Sequence, residues 1–241
     1  MTVMTCIDEY INNKPIATPI YTSDIFNYVK KVVSDLNKAK FNTYMQRYEI
    51  KNPDLVRYQK GIYYKTVDTP FGKVQIDYFK VIVRKYIQDE NNIYGYESGP
   101  SLMNSLGLTT QVPRLTYIVT NNIRYRYQDS QLGIKFLKPV VEVNKDNYRY
   151  LQLLDILANK EGIHIEVDYY KDIYKKFIKQ FHLDFKKLFG YSYYYHNENV
   201  YEQLAELAKE ISNLWFFIKT NKHLEPSYLI FTTKLELGWI F

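Results

Sequence analysis

The 241-residue sequence holds one cysteine, Cys6, and so cannot form an internal disulfide. Its opening stretch, Met1–Asn13, carries Asp8 and Glu9 and no basic leader ahead of an apolar run, which together with the lone cysteine leads us to expect a reducing, cytoplasmic setting. Long apolar runs are missing: a stretch such as Leu214–Ile218 falls far short of the roughly 20 residues a membrane-spanning helix needs. Glycine is scarce, nine residues, and none of it is arranged as a phosphate-cradling loop. The four histidines, His164, His182, His196 and His223, share no metal-ligand spacing. Serine-nucleophile motifs are absent. Glu166, Asp168 and Asp172 occur among Lys171, Lys175 and Lys176, the pattern of helix-surface ion pairs. We therefore expect no enzyme, no metal and no cofactor. There is also no low-complexity tract and no fixed-period repeat.

What the sequence has in quantity is tyrosine, 26 residues, and a net charge of +6. Hydrophobic residues make up 46% of the chain, enough for a sizeable core. Tyrosines beside lysine or asparagine could stack on bases. Spread over every segment rather than collected in one patch, they read instead as amphipathic core and boundary residues. The positive balance favours a polyanionic partner once it is shown to be localised.

Periodicity predicts a short helix over residues 2–12, with Val3, Ile7, Tyr10 and Ile11 on one face, stopped by Pro15 and Pro19. Thr22-Ser23-Asp24 offers cap chemistry for a second helix lined by Ile25, Phe26, Val29 and Val33. Asn37 should cap a third, running from about Lys38 to Glu49, with Phe41, Met45 and Tyr48 facing inward. Two β-prone runs, Leu55–Tyr58 and Ile62–Thr66, flank Gln59-Lys60-Gly61, a hairpin signal. This order predicts a winged helix-turn-helix over residues 20–70. The expected fold class is thus α+β: a winged head in residues 1–70 and a larger, mainly helical α+β domain over 71–241. The boundary is placed at Thr69-Pro70-Phe71-Gly72. Beyond it, Ile76–Ile87 reads as a helix and Ser98-Gly99-Pro100 starts a short one that Gly107 closes. Arg114–Asn121 and Ile134–Leu137 read as strands, and Asn147–Asn159, Tyr169–Phe189 and Val200–Lys219 as helices. An apolar tail follows over Tyr228–Phe241.

The third helix has the residue types that read a major groove: long cations for phosphates, and amide or guanidinium groups for base edges. Lys38 and Lys40 stand near its start, with Asn42, Thr43, Gln46 and Arg47 on the side away from the core. Arg57 and Lys60 on the hairpin are placed to touch the adjacent backbone. Residues 38–65 hold seven basic and two acidic side chains, an excess of five that is nearly the whole net charge. These eight residues, Lys38 to Lys60, form the expected interface to duplex operator DNA. A winged helix serving only to dock a protein remains the rival reading.

The segment Arg57-Tyr58-Gln59-Lys60-Gly61-Ile62-Tyr63-Tyr64-Lys65 resembles the wing of the AbiEi-like antitoxins of type IV abortive-infection systems. The longer block Gly95–Pro113, GYESGPSLMNSLGLTTQVP, resembles a block of the same family, and Asn121-Asn122 and Leu151–Leu157 continue the similarity over roughly residues 20–160. The resemblance implies a repressor of its own operon, bound to inverted repeats as two copies. It also implies a C-terminal domain that counteracts a co-transcribed nucleotidyltransferase toxin, by contact or indirectly. The glycine-serine turn and spaced aspartates such a toxin needs are not in this sequence, and residues 166–241 match nothing in that family. Read physically, the block is a scaffold in which Ser98 caps a helix, Pro100 sits in its first turn and Gly107 ends it. The sharper reading makes Thr109, Thr110, Gln111 and Arg114 a contact surface for the partner. Likewise Val200, Leu204, Leu207, Ile211, Leu214 and Ile218 form a seam that could dimerise or pack within its own domain.

Overall fold

In the computed structural model, which describes residues 2–159 and 162–212, the chain is an α+β protein that divides between Arg84 and Lys85 into two units. In the first, α1 (Val3–Asn12) starts where Thr2 Oγ1 accepts the Thr5 N–H at 3.2 Å. The strand β1 (Ile20–Tyr21) runs straight into α2 (Thr22–Val32), followed by α3 (Lys38–Lys51), β2 (Leu55–Gln59) and β3 (Ile62–Lys65). The antiparallel sheet has β3 in the centre, in the order β1-β3-β2. Cys6, Ile7 and Ile11 of α1, Ile25 and Val29 of α2, and Phe41, Met45 and Tyr48 of α3 close over Leu55 and Tyr63 as one core. The inward faces of the three helices are those the apolar spacing indicates, because burying apolar area outweighs other local preferences.

Two expectations for this unit are corrected. Thr22-Ser23-Asp24 does not cap α2, since the helix already begins at Thr22 and Tyr21 occupies the cap position without a side-chain bond. Thr22 instead donates both its hydroxyl and its N–H to Gly61 O, at 3.3 and 2.9 Å. Asp24 receives the Arg84 guanidinium at 2.6 Å. The boundary expected at Thr69–Gly72 falls inside the first unit. There, a small hairpin of β4 (Asp68–Thr69) and β5 (Gly72–Lys73) leads to α4 (Tyr78–Ile82) and a π-helical turn, Val83–Ile87. Turn residues cluster at 69–72 because this is a hairpin tip, while the chain after it is tied back. Ile76 and Val81 join Ile62 and Tyr64 in a small second core. Asp77 N–H bonds Ala17 O at 2.8 Å, and Arg84 stacks 4.1 Å over the Tyr21 ring.

The second unit is built on a mixed sheet of β6 (Gly95–Ser98), β7 (Thr116–Thr120), β8 (Tyr127–Asp129) and β9 (Ile134–Leu137), in the order β6-β7-β9-β8. The β7–β9 pair is parallel and the other two are antiparallel. Between β6 and β7 lies α5 (Gly99–Ser105), and after the sheet come α6 (Tyr148–Ala158), α7 (Tyr170–Gln180), α8 (Phe185–Ser192) and α9 (Glu198–Ser212). The helix α6 is buried almost all round, from Tyr150 to Leu157, and so takes the centre of the core. Ser98 stands at the cap position of α5 but makes no cap bond; its hydroxyl donates to Asp155 at 2.7 Å. The single helix expected over Tyr169–Phe189 is two, α7 and α8. His182 is left-handed at φ 50° and Asp184 accepts the Lys187 N–H at 3.0 Å to cap the new helix. In α9, Val200, Leu204 and Leu207 lie inside this unit's own core. Leu214, Ile218, His223 and the apolar tail lie outside the described residues.

Candidate nucleic-acid interface

Local chemistry fixes α3 at both ends of its first turns. Asn37 Oδ1 accepts the Lys40 N–H at 2.9 Å, and the Asn37 carbonyl accepts the Phe41 N–H at 3.0 Å. Phe41, Met45 and Tyr48 are buried, so at about 100° per residue the opposite side must face out. It does: Lys38, Lys40, Asn42, Thr43, Gln46 and Arg47 are all exposed. They do not form one cluster. Asn42 and Gln46 share one flank, and Thr43 and Arg47 the next. Lys38 and Lys40, about 200° apart around the axis, diverge to opposite edges. Thr43 is committed locally, its hydroxyl donating to Ala39 O at 3.2 Å and leaving its methyl outward.

The hairpin turn presents Lys60, and β2 presents Arg57, opposite Tyr63 in the register; both cations are exposed. Gly61 adopts φ 84°, where a side chain would be strained and its Cβ would come within 3.3 Å of Thr22 Oγ1. The two bonds from Thr22 to Gly61 O therefore pin the turn to the start of α2. Acidic groups are drawn away from this surface. Tyr48 donates to Asp8 at 2.8 Å and Tyr63 to Glu49 at 3.0 Å. Burial, reinforced by these carboxylates, raises both phenols above their usual range, so both remain donors. Among the described residues, Lys38, Lys40, Arg47, Arg57 and Lys60 have no carboxylate within ion-pair distance.

Sequence reasoning missed one member of this face. Ile50 is 83% exposed, three residues after Arg47 and four after Gln46. The signal was the spacing itself: an isoleucine that follows two outward residues at helical intervals must also point outward.

In the second unit, Thr109 is buried at 3% exposure, while Thr110, Gln111 and Arg114 are exposed. Thr109 Oγ1 donates to Glu166 Oε1 at 3.3 Å; the Thr110 hydroxyl and its N–H, at 2.9 Å, both donate to Glu166 Oε2. Asn104 Nδ2 donates to the carbonyls of Thr109 and Gln111 at 3.1 and 3.2 Å. The block thus clamps one stretch of its own chain to another. Among the described residues no group of three His, Cys, Asp or Glu is placed to hold a metal, and no helix is long and apolar enough to cross a membrane. The chain matches no known protein-family model and no curated protein.

Proposed function

We propose that the chain is a DNA-binding repressor whose first unit is a winged helix-turn-helix, with α3 as the recognition helix and the β2–β3 hairpin as a short wing. The observation that carries this reading is the unpaired basic face of α3 and the hairpin, beside the amides of Asn42 and Gln46. The element order α1-β1-α2-α3-β2-β3 with β3 central supports it, since that order sets a capped helix and a hairpin on one small core. Asn42 and Gln46 can each donate to adenine N7 while accepting from its N6 amine, and Arg47 suits guanine or a phosphate. Lys38, Lys40, Arg57 and Lys60 neutralise phosphates, and Ile50 can lie on a thymine methyl. With the resemblance of Gly95–Pro113 to the AbiEi-like antitoxins, the repressor acts on its own operon, binds inverted repeats as a homodimer and opposes a nucleotidyltransferase toxin in the cytoplasm. It performs no catalysis itself.

A second reading, a protein-docking head on a body that holds a partner, is favoured by one observation: the apolar, exposed Ile50 near the end of α3. A gel shift with the DNA upstream of the gene separates the two. The repressor reading expects sequence-selective binding that weakens steeply with salt. Binding indifferent to sequence, or none, together with a co-purifying protein lost on Ile50→Asp, sinks it.

A further inference from the structure

The second unit contains a cavity of about 570 Å³, within the range of small-molecule sites. Its deeper wall is apolar, formed by the buried Met103 and Val119 with Leu137 beside them. Asp155 provides the carboxylate in its lining, and three hydroxyls hold it in place. Tyr96 and Ser98 donate to Oδ2 at 3.1 and 2.7 Å, and Tyr195 donates to Oδ1 at 2.7 Å. Burial and the neighbouring carboxylate push both phenols well above their usual range, so they stay protonated and keep the carboxylate fixed.

The rim has the opposite character. Arg124, Arg126 and Lys138 are exposed there, and among the described residues none has a carboxylate partner. Lys135 lies half-buried between rim and floor, 4.6 Å over the Tyr117 ring. Two aromatic rings complete the wall, Tyr117 buried at 8% exposure and Tyr125 open to solvent. Tyr125 is 69% exposed, with the Arg124 guanidinium 5.4 Å above its ring. The Tyr117 ring is admitted by Gly99, whose φ is 61° and whose Cβ would come within 3.0 Å of it.

This layout selects a ligand with two unlike ends. A bare phosphate would leave the apolar wall and both rings unused. A carboxylate-bearing side chain pushed inward would meet Asp155, a like charge in a poorly solvated place. What fits is an anionic group at the rim, a planar body against the tyrosines, and N–H or O–H donors directed to Asp155. We infer that this cavity is a binding site for a phosphorylated nucleoside, held by Arg124, Arg126 and Lys138 at its phosphate and by Tyr117, Tyr125 and Asp155 at its base and sugar. The site stands independently of any role for the first unit.

Calorimetric titration of the full chain with AMP, GMP, CMP and UMP, and with inorganic phosphate and the four corresponding nucleosides as partial ligands, tests it. At least one nucleotide should bind about tenfold or more tightly than phosphate or its own nucleoside. Arg124→Ala with Arg126→Ala should lose about tenfold in affinity with Tm unchanged, since both side chains are exposed and, among the described residues, make no hydrogen bond or ion pair. Tyr125→Ala should weaken the nucleotide but not phosphate. Lys171→Ala with Lys175→Ala on α7, a control for diffuse charge, should change nothing. A 5′-phosphorylated trinucleotide RNA that competes more strongly than UMP assigns the nucleotide to a strand end; weaker competition assigns it to the free pool. The inference is overturned if no nucleotide binds at about 1 mM, if phosphate binds as well as the nucleotides, or if the rim variants bind as the parent does.

Discussion

The two units place their positive charge differently. Residues 1–84 carry thirteen Lys and Arg against eight Asp and Glu; residues 85–241 carry nineteen against eighteen. In the first unit the excess stands unpaired on an outward helix face and a hairpin, while tyrosines draw two acids inward. In the second, Lys171 meets Glu206 and Glu210 at 2.9 and 3.4 Å, and Lys175 meets Asp172 and Glu210 at 2.7 and 3.0 Å. Three exposed cations of that unit, Arg124, Arg126 and Lys138, instead stand around a concavity whose lining includes the Asp155 carboxylate. An outward unpaired face suits an extended polyanion, whose many phosphates meet many side chains at once. A concave group suits a small ligand that it can surround. Net charge alone separates neither case; placement does.

The largest effect expected from breaking this contrast is Asp155→Ala in the second unit. It leaves the O–H groups of Tyr96 and Ser98, both buried, without their carboxylate acceptor, while Tyr195 keeps the Leu151 carbonyl at 3.2 Å. Each such loss costs about 1–3 kcal/mol, so unfolding free energy should fall by about 3 kcal/mol or more. DNA affinity of the folded fraction should be unchanged. Chemical denaturation and a gel shift on the same preparation check both halves, and an unaltered midpoint would show that the hydroxyls find other acceptors. The mirror experiment is Gln46→Ala with Arg47→Ala, which should cost about 1–3 kcal/mol of specific DNA binding per base-reading contact and leave Tm alone. Arg57→Ala and Lys60→Ala should instead weaken all sequences alike and reduce the salt slope by about one each. Equal losses from both pairs would mean that α3 does not read bases.

How far the sequence disclosed this contrast depends on whether local chemistry or distant contacts decide each feature. The faces of α1, α2 and α3 were legible because Phe41, Met45 and Tyr48 recur at helical spacing. The Asn37 cap and the Gly61 turn need only nearby residues. The role of Thr22 was not legible, because its partner, Gly61, lies 39 positions away and looks no different from a cap competitor. The short strands β6 and β8 went unseen: Gly95-Tyr96-Glu97-Ser98 has no strand pattern of its own and is held by pairing with β7. The cavity was hidden for the same reason. Its lining comes from residues spaced between Tyr96 and Ile163, and Arg124, Arg126 and Lys138 read locally as ordinary loop charge. The division at Arg84 rather than Gly72 escaped notice because Asp24, its partner across the first unit, is 60 residues away.

Smaller effects sharpen the comparison at its edges. Asn37→Ala removes the cap of α3 and should cost about 1 kcal/mol in the first unit, loosening the reading face without touching a basic residue. DNA affinity should fall less than for the Gln46 and Arg47 pair. A drop as large as theirs would mean that the start of α3 itself contacts DNA.

The smallest effect is a pH dependence confined to the second unit. Hydrogen bonds from the Thr110 hydroxyl first, then from its backbone N–H and the Thr109 hydroxyl, hold the Glu166 carboxyl below its ordinary value of 4.5, against the opposing effect of burial. A carboxyl that binds its proton less readily when folded stabilises the fold above its unfolded value, and that contribution is lost as the pH falls through the folded value. Thr110→Val deletes the hydroxyl that lowers it most while keeping the N–H. The parent should therefore melt above the variant at neutrality, and the gap should close as the pH drops below 4.5. Because the carboxylate is solvent-exposed the difference will be slight, so the test is its slope with pH and not its size. A gap that stays constant across this window would mean that Thr110 acts through packing alone, and that the clamp between Thr109–Gln111 and Glu166 owes nothing to charge.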